Sequence, residues 1–184
     1  MDKQSKKIIG LFARYFLVLL AGLGNLYLIY KILTPLTVYT VNAILSIFTK
    51  TILIENTIYL TNVVIEIIPA CVAGAAFYLL LLLVFSTSDI GPKIRTKAII
   101  LAFAIFFILN ITRILILVPI IEQPYYDAVH WIFWHIVSTA MVVAIWFGII
   151  KFYKIKSIPV YSDLKYMKGL IYPHKNSKRK KKNK

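Results

Sequence analysis

Four long apolar runs constrain the fold of this chain more than any other feature. A helix needs about 20 apolar residues to cross the hydrocarbon core of a bilayer. The sequence predicts spans over residues 8–33, 64–85, 98–121 and 128–153. Hydrophobic residues make up 60% of the 184 residues, well above the usual content of a soluble domain. We therefore expect an all-α polytopic membrane protein in which residues 1–155 form one transmembrane domain.

The distribution of charge predicts the orientation in the membrane. The chain has 22 Lys and Arg against 7 Asp and Glu, a formal net charge of +15. Basic residues lie in "MDKQSKK", in "STSDIGPKIRTK" and in the tail 156–184, whereas "EQPYYD" is acidic. Because cytoplasmic loops carry the excess of Lys and Arg, we expect a multi-pass cell-membrane protein with both termini in the cytoplasm. The same rule explains the basic composition without a nucleic-acid partner, and the basic cytoplasmic tail is expected to touch membrane lipids.

An insert over residues 34–62 separates the first two predicted spans. Its first half, "TPLTVYTVNAILSIFTK", has apolar residues at near-helical spacing and indicates an outer amphipathic or re-entrant helix. Its continuation, "KTILIENTIYLTNVVIEI", is rich in Ile, Val, Thr and Tyr and favours short strands or a hairpin. We expect both on the extracytoplasmic side.

Arg113 is the only charge inside the third predicted span, and Asn110 lies on the same helical face. An ionisable group at bilayer depth costs on the order of 2.5–3.5 kcal/mol and therefore points to function. The alternative is that Arg113 reaches the outer interface. Side chains lean toward the N-terminus of their helix, here the cytoplasmic end, so the sequence favours an inward-facing Arg113.

The fourth predicted span contains His130 and His135. Five residues turn a helix by about 140°, so the two imidazoles do not share a face and a two-histidine metal site is not expected. His130 is next to the acidic outer loop and is expected at the interface. His135 is deeper, with Ser138 and Thr139 on its face.

Cys71 is the only cysteine, so no internal disulfide or cysteine zinc site is expected. By itself a free cysteine is most simply a small packing residue, and Gly74 and Ala75 on its face suit close helix contact. Depth changes this interpretation. Cys71, Arg113 and His135 each lie roughly two turns from the outer end of their spans, or about 10 Å below the surface.

A thiol, a guanidinium and an imidazole in one layer suit acyl transfer through a thioester. The histidine would take the thiol proton and return it to a leaving amine. The arginine would either favour the thiolate or stabilise an oxyanion, and the sequence does not choose between these roles.

At these residues the chain resembles the exosortase/archaeosortase family of multi-pass membrane transpeptidases. That family has a Cys at the outer start of a span, an Asn-x-x-Arg on the next and a His on the last. Here these are Cys71, Asn110 with Arg113 in "NITRI", and His135 in "FWHIVSTAMVV". Short strand-like runs also lead into Glu66, five residues before the cysteine.

The resemblance covers residues 34–153 and implies Cys71 as nucleophile, Arg113 as electrostatic stabiliser and His135 as acid/base. Asn110, Glu66 and His130 are supporting residues, and no cofactor or metal is implied. The implied partners are exported proteins with a C-terminal sorting signal, cut near the extracytoplasmic face and passed to a lipid, an amine or water. The chain departs from the family after the cysteine, where Val72 and Ala73 replace a hydroxyl residue and a glycine.

Two other functions fit the same features. Arg113 and His135 would line an anion or proton pathway in a small transporter or channel subunit. In a non-catalytic membrane assembly protein, Cys71 would be a packing residue and the tail a docking site.

Overall fold

A set of apolar helices and a small sheet make up the part of the chain that the structure describes. The structure is a computed structural model that describes residues 3–24, 26–61, 63–87 and 90–155 and is mostly helical. The basic tail predicted over residues 156–184 lies outside the described residues. The elements are α1 (Lys3–Gly22), α2 (Tyr27–Phe48), β1 (Ile52–Ile54), β2 (Thr57–Tyr59), β3 (Val64–Glu66), α3 (Pro69–Val72), α4 (Gly74–Ser86), α5 (Pro92–Leu117), α6 (Tyr126–Ile132) and α7 (Ser138–Phe152). A 3-10 turn, Val118–Ile120, follows α5, and a π-helical segment, Phe133–Val137, joins α6 to α7.

Four helical stretches are long and apolar enough to cross a membrane. They are Tyr27–Phe48, Pro69–Ser86, Pro92–Ile120 and Tyr126–Phe152. The coarse prediction of a mostly helical chain with four such helices is confirmed. Large apolar side chains such as Phe16, Ile108 and Phe147 are exposed on the outward faces. Lipid contact would suit these faces, and the fold is compatible with a multi-pass membrane protein.

The N-terminal helices differ from the expected boundaries. Residues 8–33 were expected to form one span, but α1 ends at Gly22 and α2 begins at Tyr27. The backbone turns between them, with positive φ at Gly24 and Leu26. The second half of α2 is the segment expected to form a separate amphipathic helix. The hydropathy of residues 8–33 is uniformly apolar and does not indicate this break, although the glycines of "GLGN" are a turn signal.

The second predicted span also differs, because it begins as a strand. Residues Val64–Glu66 form β3, and helix starts at Pro69, whose fixed φ suits the first helical position. The helix then breaks at Ala73, which has φ 57 and separates the single turn α3 from α4. Cys71 therefore lies on a short helical turn rather than within a continuous span.

The three strands form an antiparallel sheet in the order β1-β2-β3. Ile58 pairs with both Leu53 and Ile65. The side chains of Ile58 and Ile65 are buried, and they anchor the sheet to the helices. Strands therefore form in the region where the sequence favours them, and their extracytoplasmic location stays a prediction.

The centre of the bundle is the contact between α4 and α5. Phe77 of α4 packs edge-on against Phe103 and Phe106 of α5, with ring centroids 5.1 and 4.8 Å apart. Ala98 and Ala102 are fully buried, and such small residues let helices approach closely. This contact fixes α5 beside the broken helix α3–α4.

Substitution of Gly74 tests how closely α2 and α4 approach each other. A Cβ at Gly74 would lie 2.7 Å from the ring of Tyr30, so Gly74→Ala should destabilise the protein by about 1–3 kcal/mol through overpacking. Gly148 has no atom within 4 Å of its Cβ position, so Gly148→Ala is the matched control and should be neutral or stabilising. Thermal unfolding in detergent micelles measures both. Equal effects of the two variants would contradict the close α2–α4 contact.

Candidate functional site

The helix break at Ala73 leaves main-chain carbonyls without helical partners. In a continuous helix, the carbonyls of Ala70, Cys71 and Val72 would accept hydrogen bonds from the N–H groups of residues 74–76. The left-handed conformation of Ala73 turns the chain away from that path. Buried carbonyls need donors from elsewhere, because leaving one unpaired costs about 1–3 kcal/mol.

Two side chains of α5 supply those donors. The Asn110 amide Nδ2 donates to the carbonyl oxygen of Cys71 at 2.9 Å and, more weakly, to that of Val72 at 3.4 Å. The Arg113 Nη2 donates to the carbonyl oxygens of Ala70 and Cys71 at 3.1 and 3.3 Å. Asn110 and Arg113 face the same way because they are three residues apart on one helix. Together they cap the end of α3 that carries Cys71.

The other end of the guanidinium is held by Ser138 at the start of α7. Arg113 Nη1 donates to Ser138 Oγ at 2.7 Å, and Ser138 Oγ donates to the carbonyl oxygen of Phe133 at 2.9 Å. Phe133 opens the π-helical segment, and such segments often occur at functional sites. Arg113 thus links α3, α5 and α7 through hydrogen bonds.

The side chains of Asn110 and Arg113 are both deeply buried. Arg113 is 3% exposed and Asn110 is 1% exposed. Arg113 therefore faces the bundle interior rather than the outer interface. Among the described residues, neither Arg113 Nε nor Asn110 Oδ1 has a hydrogen-bond partner. The site therefore contains one buried donor and one buried acceptor that are unsatisfied within the described residues.

The Cys71 side chain is half-buried and lines a cavity of about 40 Å³ between β3, α5 and α6. Arg113, His130, Tyr126 and Glu66 line the same cavity. The rest of the lining is apolar: Ile65, Ile67, Ile114, Leu117, Val118 and Ile121. This volume suits one or two water molecules or a group the size of a carbonyl. We call it the thiol cavity.

Tyr126 stacks on the imidazole of His130. Their ring centroids are 5.6 Å apart with planes inclined by 17°. They lie four residues apart on α6 and therefore share one face of the helix. Both side chains line the thiol cavity. The sequence analysis did not identify Tyr126 as a site residue, and it named Ser138 only as a residue on the same helical face as His135. The i, i+4 spacing from His130 was the available signal for Tyr126.

His135 lies outside the thiol cavity. Its side chain is exposed, its Nδ1 lies 3.1 Å from the carbonyl oxygen of Trp131, and its ring packs against Trp131 and Trp134. The structure therefore brings together Cys71, Arg113, Asn110, Glu66 and His130, but not His135. The prediction that His135 is the acid/base stays a prediction.

No group of three His, Cys, Asp or Glu side chains that could hold a metal ion occurs among the described residues. Comparisons with protein-family models, with curated proteins and with solved structures found no match to this chain.

The bond between Arg113 and Ser138 can be tested against its sequence neighbour. Ser138→Ala removes a hydrogen bond to a buried charge and should destabilise the protein by about 1.5–3 kcal/mol. Thr139→Ala is the control, because Thr139 is exposed and bonds only to its own helix at His135, so its change should be within about 0.5 kcal/mol. Thermal unfolding in micelles reads out both, and a Ser138→Ala effect as small as that of Thr139→Ala would contradict the role of Ser138.

Proposed function

We propose that this protein is a membrane-embedded cysteine peptidase or transpeptidase that cleaves exported proteins through a thioester on Cys71. One observation carries the proposal: a thiol, a guanidinium and an imidazole, from three separate helices, line one small cavity. Cys71 comes from α3, Arg113 from α5 and His130 from α6. Nucleophile, charge stabiliser and acid/base are the three groups that acyl transfer needs.

In the proposed first half-reaction, His130 accepts the proton of the Cys71 thiol. The thiolate attacks the carbonyl carbon of the scissile peptide bond, a C–S bond forms, and the carbonyl electron pair moves to oxygen. The oxyanion is stabilised by the positive charge of Arg113, which lines the thiol cavity together with Cys71. Collapse breaks the C–N bond, His130 gives its proton to the leaving amine, and a thioester remains.

In the second half-reaction, an amine or a water molecule attacks the thioester carbon. His130 takes a proton from the attacking group, the C–S bond breaks, and the returning proton restores the thiol. An amine acceptor gives transpeptidation, and water gives hydrolysis. We assign the acid/base role to His130 rather than His135 because the His130 side chain shares the thiol cavity.

The proposed substrates are exported proteins with a C-terminal sorting signal, as the resemblance to exosortases implies. The proposed orientation follows from the loop charges, with both termini in the cytoplasm and the site near the extracytoplasmic face. In support, the thiol cavity is lined by Val118 and Ile121, which precede the acidic "EQPYYD" loop, and by Tyr126 within that loop. We propose no nucleic-acid partner, no cofactor and no metal.

A non-catalytic assembly role is the second candidate, and one observation favours it. Both terminal nitrogens of Arg113 bond to main-chain carbonyls or to Ser138, so capping the broken helix alone would account for them. In that case Cys71 is only a small packing residue. The two candidates differ in whether the thiol itself is needed.

The thiol is tested by Cys71→Ala in the native cell, following exported proteins that end in a short motif, an apolar helix and a basic cluster. We expect these proteins to accumulate with the signal attached, because no thioester can form. The variant should remain folded, since Cys71 contributes its carbonyl and not its side chain to the cap. Unchanged processing by a stably expressed Cys71→Ala protein would favour the assembly role.

The two histidines provide a matched pair in the same assay. His130→Ala should slow processing by about 10²–10⁴-fold, the usual contribution of a general acid/base. His135→Ala should process at a rate close to the unaltered protein, because its side chain is exposed outside the thiol cavity. The reverse outcome would return the acid/base role to His135.

A further inference from the structure

Strand β3 connects the sheet to the turn that carries Cys71. It pairs only with β2 among the described strands, so one of its edges has no neighbouring strand. Two residues separate the end of β3 from Pro69, where α3 begins. The edge of β3 therefore leads directly toward the thiol.

The ladder between β2 and β3 shows which main-chain groups of β3 point to its open edge. Leu60 N–H donates to Val63 O, and Ile67 N–H donates to Asn56 O, each at 2.9 Å. Main-chain groups alternate in direction along a strand, so residues 63, 65 and 67 point toward β2. The N–H and C=O groups of Val64 and Glu66 consequently point to the open edge.

The thiol cavity lies along this edge. Ile65 and Glu66 of β3 line it, and so does Ile67, which continues the ladder one residue beyond β3, although side chains of successive residues in an extended chain point to opposite faces. A cavity confined to one face would touch alternate residues only, so contact with three in a row indicates an edge. Because β2 covers the other edge, the open edge is the one that meets the cavity.

We propose that the open edge of β3 binds the substrate segment next to the scissile bond as an added strand. This inference rests on the proposed function and specifies how the substrate is held. An extended peptide satisfies both requirements of the site, since it carries N–H and C=O groups for the edge and a carbonyl carbon for the thiol. A lipid chain carries no such series of groups. The outer edge of β1 is also open, but β1 does not line the cavity.

Strand addition of this kind takes affinity from main-chain hydrogen bonds and sequence preference from alternate side chains. The thiol cavity, at about 40 Å³, admits the scissile carbonyl group only, so the rest of the added strand would lie along β3 outside the cavity. Specificity would therefore come from contacts along β3 rather than from a deep pocket beside the thiol.

Strand addition can be tested on the full-length protein in membranes by measuring the rate at which Cys71 is alkylated. Cys71 is the only cysteine and so the only thiol labelled. The probes are iodoacetamide, an alanine tetrapeptide chloromethyl ketone, and the same tetrapeptide with N-methylated internal amides. N-methylation removes the donors needed for strand pairing and leaves the electrophile unchanged. We expect the methylated peptide to label Cys71 about two- to tenfold more slowly, which is the range for losing a net hydrogen bond.

A matched pair of proline variants adds the protein side of the test. Val64→Pro removes an N–H from the open edge of β3 and should slow the unmethylated peptide about two- to tenfold, without slowing iodoacetamide. Leu53→Pro is the control: Leu53 pairs with Ile58, whose main-chain groups point to β3, so Leu53 N–H points to the outer edge of β1. Proline is tolerated at such edge positions, so both variants should fold.

The outcomes separate this inference from the proposed function. Iodoacetamide labelling with equal rates for the two peptides would overturn strand addition and leave the nucleophile standing. Failure of both iodoacetamide and peptide to label Cys71 would overturn the proposed function as well. If Val64→Pro slows all three probes alike, the substitution has damaged the fold. The labelling rates of the two peptides on the unaltered protein then decide whether strand addition occurs.

Discussion

The site depends on the hydrogen bonds that the buried guanidinium of Arg113 donates. Burying a charge in an apolar bundle is expensive unless its donors are satisfied. Here the terminal nitrogens donate to the carbonyls of Ala70 and Cys71 and to the hydroxyl of Ser138. Those carbonyls are available only because the helix breaks at Ala73, and the break is tolerable only because donors from α5 replace the lost helical bonds. The broken helix and the buried arginine therefore stabilise each other.

This dependence fixes the main chain of Cys71 without using its thiol, which the proposed mechanism needs. The carbonyl of Cys71 accepts from Asn110 and Arg113, so its main chain is fixed at the end of α3. Its side chain takes no part in that cap and instead lines the thiol cavity with His130. A nucleophile on a rigid support, beside a charge and an imidazole, is the arrangement that acyl transfer favours. Strand β3 would complete it by guiding an extended substrate to the sulfur.

The sequence indicates which helices carry these groups better than it indicates the direction of their side chains. The last two apolar helical stretches, Pro92–Ile120 and Tyr126–Phe152, overlap the predicted spans 98–121 and 128–153 and differ from them by at most six residues at either end. The face shared by Asn110 and Arg113 follows from helical spacing. Depth alone favours His135 over His130, yet in the structure His130 lines the thiol cavity and His135 does not. The break at Ala73 was not predictable, because alanine carries no turn signal and the donors that satisfy the freed carbonyls come from α5, about 40 residues later in the chain.

The most direct test of the central claim is to look for the thioester itself. Membranes containing the unaltered protein and its exported substrates should yield Cys71 carrying an acyl group that neutral hydroxylamine releases, detected by mass spectrometry of the Cys71 peptide. The same preparation from Cys71→Ala should contain no such adduct and no cleaved substrate. Cleaved substrate in the Cys71→Ala preparation, with no adduct on the unaltered protein, would contradict the account.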